Sequence, residues 1–145
     1  MLGTMRTFSP AMRQDVIDRI GRTVANIAEA NGASAKLEMM PAPNPVLEND
    51  PALTARAAES LRAVLGADAV RTSNLLTVAE DFAHIAQRVP SFYYWVGVTP
   101  PSQDAATAPD NHSDLFYLDE AALAVGLRTM LRVAVDYLQA TPAGD

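Results

Sequence analysis

Phe92-Tyr93-Tyr94-Trp95-Val96-Gly97-Val98 is the stretch whose reading decides the fold. All but Gly97 are aromatic or β-branched, the side chains that suit a pleated surface. With apolar groups on both alternating sides, the run predicts a strand inside a sheet, buried on both faces. Residues 77–88, just upstream, read as a helix, with Thr77 as cap and Glu80-Asp81 in the first turn. Carboxylates there complement the helix dipole. Pro90 ends that helix. Downstream, residues 100–110 form a polar loop, and Leu118-Asp119-Glu120 leads into a long C-terminal helix. Its apolar face is expected to be Leu123, Leu127, Met130, Leu131, Ala134 and Leu138. Residues 141–145 should fray.

Toward the N-terminus the same alternation of elements continues. Residues 3–8 alternate small or polar with larger apolar side chains and read as a strand. Ser9-Pro10 opens a helix, because serine caps well and proline at the first helical position loses no needed donor. Val16, Ile17, Ile20, Val24, Ile27 and Ala28 recur at helical spacing, and Asn31-Gly32 is the stop. Residues 35–40 read as a short strand. Three prolines in residues 41–45 remove three backbone donors and mark an inter-domain connection. Asp50-Pro51 opens a further helix with Leu53, Ala57, Leu61, Val64 and Leu65 on its apolar face, ended by Gly66. Residues 69–72 read as another short strand. The fold class is α/β.

Composition narrows the function. Of 145 residues, 11 are Lys or Arg and 17 Asp or Glu, so the formal charge is −6. That balance speaks against nucleic acid and anionic membrane surfaces, which need clustered cations. With no cysteine, disulfides, thiolate metal sites and thiol nucleophiles are excluded. The chain starts without a basic and then apolar leader, and it holds no 18-residue apolar run, so the expectation is a cytoplasmic protein with no membrane span. No phosphate loop, nucleophile elbow or HExxH pattern occurs.

Few residues are candidates for chemistry. His112 stands in Asp110-Asn111-His112-Ser113-Asp114, where nearby carboxylates could fix its tautomer for metal binding. On spacing alone it is either a solvated loop residue or a ligand, and one imidazole does not make a metal site. His84, one turn after Glu80 and Asp81, reads as a partly exposed helix residue. Glu80 and Asp81 are adjacent and so do not face each other on a helix, which disfavours a shared proton.

Three blocks taken together resemble the aminoacylase/hippurate hydrolase amidohydrolases, two-metal peptidases that include the auxin-conjugate hydrolases. Gly3-Thr4-Met5-Arg6-Thr7-Phe8 is similar to the family's "GTxRTF" strand. Ala79-Glu80-Asp81-Phe82-Ala83, with Val89-Pro90 and residues 92–97, resembles its "sEDFa…vPg.f.flG" block. Asn111-His112-Ser113, with Phe116, Asp119, Glu120 and Leu123, resembles "HSpxFdxDExaL". Asn49-Asp50-Pro51 is similar to the "NdpeL" helix start. The resemblance runs from residue 1 to about residue 138.

The resemblance implies hydrolysis of the amide bond of N-acyl amino acids or related amides. Two divalent metals about 3.5–4 Å apart would activate a bridging water and polarise the carbonyl. It implies that His112 is one metal ligand, with Glu80 and Asp81 in supporting roles and no catalytic residue within this chain. Zinc, manganese, cobalt and nickel all suit an imidazole. Residues 1–44 would be the second half of a ferredoxin-like lid, or dimerisation, domain. Residues 45–145 would be the C-terminal part of the two-metal exopeptidase catalytic domain. The family's other ligands and its general base precede the first block and have no counterpart here. The expected partners are therefore the missing N-terminal part of the enzyme or further copies of the chain. The expected behaviour alone is inactivity with exposed apolar surface, and the alternative is a non-catalytic oligomerisation or interaction module derived from the family.

Overall fold

A computed structural model describes residues 1–41 and 43–140. The expectation that 141–145 fray lies outside the described residues, as does Ala42 within the proline-rich connection. The chain gathers into two compact units, one of Met1–Asn49 with Ser73–Ser91, the other of Asp50–Thr72 with Phe92–Asp145. Residues 73–91, which the sequence reading assigns to the catalytic portion, thus gather with the N-terminal segment.

In the first unit, α1 (Pro10–Ala30) starts and stops where the capping chemistry requires. The Ser9 hydroxyl accepts the Met12 N–H at 3.0 Å, and Pro10 occupies the first turn. At the far end the Gly32 N–H reaches the Glu29 carbonyl and the Ala33 N–H the Ala28 carbonyl, both at 2.9 Å. This pair is a Schellman closure, which places Gly32 at φ 66°, a left-handed conformation costly to residues with a Cβ. Val16, Ile17, Val24 and Ala28 are half-buried, whereas Ile20 and Ile27 of the expected apolar face are exposed.

The helix expected over 77–88 is reduced to α3 (Ala83–Ala86). Thr77 caps nothing. The Glu80 carboxylate instead accepts the Phe82 N–H at 3.1 Å. Tight three-residue bonds follow, from Ala83 to Glu80, His84 to Asp81 and Ile85 to Phe82. Pro90 leaves room for little more than one turn after them. His84 Nε2 lies 3.3 Å from Asn44 Oδ1, an exposed long-range contact within this unit.

The second unit is built on α2 (Pro51–Leu65) and α4 (Ala121–Gln139), which pack on each other. Asp50 caps α2 by accepting the Leu53 N–H at 2.7 Å, and Gly66 ends it at φ 87°. Ala57, Ser60 and Leu61 are buried, with Leu53, Val64 and Leu65 half-buried, so the expected face of α2 is the packed one. For α4 the expectation fails. Leu123, Leu127, Met130, Leu131, Ala134 and Leu138 are all exposed, and the inward side is Ala122, Val125, Gly126, Thr129 and Val133. Small side chains permit close approach: Val96 comes within 4.0 Å of where a Cβ on Gly126 would lie. Thr129 is 1% exposed. Its hydroxyl lies 2.9 Å from the Val125 carbonyl and 3.0 Å from the Tyr94 hydroxyl.

No strand forms among the described residues, which corrects the expectations for 3–8, 35–40, 69–72 and 92–98. Part of the third is a 3₁₀ turn, Ala67–Ala69. A helix closes its hydrogen bonds within one segment, whereas a strand exists only in a ladder with another. Residues 92–95 keep the side-to-side alternation of an extended chain. Phe92 and Tyr94 stack at 5.4 Å, and Tyr93 and Trp95 meet edge-on at 5.3 Å, so alternate rings share a side. Burial on both faces is not realised, and Trp95 is 52% exposed. The helical part of the α/β reading is therefore present, while the described residues form no sheet of a ferredoxin-like half-lid or of a catalytic layer.

Candidate functional site

His112 occupies the third position of a turn in which the Ser113 N–H donates to the Asp110 carbonyl at 2.9 Å. The turn is continued by Ser113, whose hydroxyl accepts the Leu115 N–H at 3.1 Å while its carbonyl accepts the Phe116 N–H. Asp119 then anchors the segment. Its N–H donates to the Val98 carbonyl at 2.8 Å, and its carboxylate accepts the Ala121 N–H at the start of α4 at 2.9 Å. Asp119 thus has a local role in fixing the entry to α4. The polar spacing in this block builds a turn, a link to residue 98 and a helix start, and it leaves the imidazole of His112 exposed.

A tetrahedral catalytic metal site takes three protein ligands. Among the described residues no group of three or more His, Cys, Asp or Glu side chains could hold a metal ion. The donors among the described residues therefore do not fit a complete metal site, although a single accessible imidazole can serve as one ligand of a shared site. Glu80 and Asp81 belong to the first compact unit and His112 to the second. Glu80 is half-buried and engaged in the turn that starts α3, and Asp81 is exposed, with its carbonyl accepting from His84.

A polar cluster joins α2 to α4, and the meeting of Ser60 with Asp136 has no signal in the sequence, because the two lie 76 residues apart. Ser60, nearly buried, donates its hydroxyl to Asp136 at 2.6 Å, and the Arg132 guanidinium donates to the same carboxylate at 2.7 Å. Beside it the Arg56 guanidinium stands 5.3 Å above the Tyr137 ring. These groups border an open groove with an apolar floor of Leu53, Ala57 and Val133. The Arg132 guanidinium first, then the Ser60 hydroxyl, hold the Asp136 carboxyl below the usual carboxylate range, against a smaller opposing effect of desolvation.

A carboxyl whose folded value is depressed stabilises above its unfolded value and ceases to do so as pH falls through the folded one. Asp136→Asn should therefore lower the melting temperature at neutral pH, and the gap to the wild type should close as pH drops below about 3.9, the ordinary aspartate value. Thermal melts by circular dichroism at stepped pH check this. A gap that persists undiminished in acid would refute it.

Comparisons with known proteins give the class. The family model of peptidase family M20/M25/M40 matches residues 7–136, and the chain belongs to that family. It is the aminoacylase-type amidohydrolase family that the motifs resemble. The chain is 32% identical to the N-acetylcysteine deacetylase of Bacillus subtilis (strain 168), over 96% of its own length and 34% of the relative's. It is 28% identical to thermostable carboxypeptidase 2 of Saccharolobus solfataricus, over 94% of this chain and 34% of that one. It is 29% identical to the N-acetyldiaminopimelate deacetylase of Limosilactobacillus fermentum, over 70% of this chain and 26% of the relative. The chain thus spans about a third of the length of the curated relatives that it matches most fully. No solved structure matches it significantly. Peptidases of this family are generally metal-dependent. Among the described residues, no helix is long and apolar enough to cross a membrane.

Proposed function

We propose that this chain supplies the C-terminal part of a metal-dependent amidohydrolase that cleaves the amide bond of N-acyl amino acids or related amides, and that it is inactive alone. The observation that carries the reading is the family match over residues 7–136, together with an exposed imidazole in the His112-Ser113 block. His112 offers one ligand to a divalent metal such as zinc, manganese, cobalt or nickel, and other polypeptide offers the rest. The metal's chemistry is to acidify water and polarise a carbonyl. The chain's own contribution is to hold that imidazole on a short turn braced by Asp110, Ser113 and Asp119. Glu80 and Asp81 support the fold around α3 and do not touch substrate. In the assembled enzyme, residues 1–44 belong to the lid and 45–145 to the catalytic domain, and the setting is cytoplasmic.

The test is complementation. The chain is mixed with separately produced polypeptide corresponding to the rest of the enzyme, with divalent metal, and assayed on N-acetyl and N-benzoyl amino acids. Hydrolysis by the mixture, and by neither part alone, is the expected result. Full activity of the isolated chain, or none in a mixture shown to associate, would reject the reading. A second reading, a non-catalytic interaction module, is favoured by the exposed leucines of α4. An associated but inert and metal-free mixture would support it.

A further inference from the structure

Asn31-Gly32 is the one Asn-Gly pair in the sequence. An asparagine followed by glycine is the context in which a chain most readily attacks itself, because glycine has no side chain to hinder its own amide nitrogen. In that reaction the Gly32 nitrogen bonds to Asn31 Cγ and the Cγ–Nδ2 bond breaks. The amide proton leaves with the Nδ2 group as ammonia. Water then opens the five-membered imide at either carbonyl. One opening gives aspartate, and the other gives isoaspartate, in which the backbone runs through the former side chain. Water is the only co-reactant.

The last turn of α1 holds the reacting groups apart. The Gly32 N–H, which carries the attacking nitrogen, donates to the Glu29 carbonyl at 2.9 Å. The Asn31 side-chain amide donates to the Ile27 carbonyl at 2.8 Å, one turn back along the helix, and this draws Cγ away from the Gly32 nitrogen. The Asn31 N–H is itself held on the Ala28 carbonyl at 3.1 Å. Asn31 has ψ 16°, and the ring can close only after a large rotation about ψ brings the Gly32 nitrogen over Cβ. Access is not the obstacle. Both residues are exposed, and among the described residues nothing lies within 4 Å of where a Cβ on Gly32 would be. Nucleophile, electrophile and water are all present, separated by the helical closure alone.

We propose that Asn31 is a site of covalent self-modification gated by the last turn of α1, reacting when that end opens and not while it is closed. Helix ends open far more often than the whole fold does. The step is one-way. Both products exchange the amide for a negative charge at the C-terminal pole of the helix, where the dipole disfavours it. Isoaspartate also lengthens the backbone by a methylene, so the closure through Gly32 and Ala33 cannot re-form in its old register. The inference is independent of the amidohydrolase reading.

The full chain is kept warm in mildly alkaline buffer, with and without urea, and sampled over time. Trypsin releases residues 23–36, which contain both Asn31 and Asn26, the latter followed by a β-branched residue and serving as internal control. Mass spectrometry follows the conversion of amide to acid and distinguishes isoaspartate from aspartate. In urea, Asn31 should convert and Asn26 should not. In buffer, conversion of Asn31 should be roughly tenfold slower or more. Ala28→Gly keeps the carbonyl that holds Asn31 and Ala33 but loosens the turn, and should speed conversion in buffer roughly two- to fivefold. Equal rates for Asn31 with and without urea would overturn the proposal. So would an inert Asn31 in urea, or an Ala28→Gly chain that keeps its helical circular dichroism and reacts no faster than the wild type.

Discussion

Replacing His112 by alanine should strip metal and activity together from the assembled amidohydrolase. The side chain is exposed on a turn whose hydrogen bonds run through Asp110, Ser113 and Asp119, so its removal leaves the local fold in place. Loss of a group that merely orients a metal ligand costs roughly 10–100-fold in affinity or activity. Loss of a ligand itself should cost at least that much. The measurement is metal content by elemental analysis beside hydrolysis of an N-acetyl amino acid, on the same preparation. Because the chain has no cysteine, thiolates of this chain cannot substitute for the lost imidazole. Metal content equal to that of the wild type would reject the ligand role.

Leu61→Ala should be the most damaging single truncation in the second compact unit. Leu61 is 5% exposed on the face of α2 that packs on α4, and few large side chains are buried beside it. Deleting a buried leucine costs about 2–5 kcal/mol, depending on how far the site can collapse. Few large side chains are buried around it to hold a cavity open, so relaxation is easy and the lower part of that range, about 2–3 kcal/mol, is expected. Leu127→Ala is the control. It removes the same atoms from an exposed position and should change stability by no more than about 0.5 kcal/mol. Urea unfolding followed by far-ultraviolet circular dichroism compares the two. Equal midpoints for both variants would show that the α2–α4 contact does not hold this unit together.

The helices of the chain were legible residue by residue wherever their ends were written in local chemistry. Ser9-Pro10, Asn31-Gly32, Asp50-Pro51 and Gly66 bound α1 and α2 as expected, because a cap is a hydrogen bond between near neighbours. The helix over 77–88 was misjudged, since the Glu80 carboxylate takes the Phe82 N–H and the regular turn begins only afterwards. The segments expected to be strands were legible only as extended chain. Nothing within 92–98 specifies which other segment pairs with it. Periodicity located the large apolar residues of α4 and assigned them inward, where the structure turns small ones toward Tyr94 and Val96.

The candidate site divides in the same way. The His112 block was recognisable by its resemblance to a family motif, and the family it points to is the one that the chain belongs to. The meeting of Ser60 with the Arg132–Asp136 pair was invisible, because no local pattern marks residues that meet only when α2 lies on α4. By itself, then, the amino-acid order determined the family, the caps and the exposed turn that presents one imidazole, since each rests on groups a few residues apart. Only the tertiary structure decided which side of α4 turns inward and which carboxylate bridges the two helices. Those outcomes depend on which surfaces are present to be covered, and that is a property of packing partners, not of spacing along a chain.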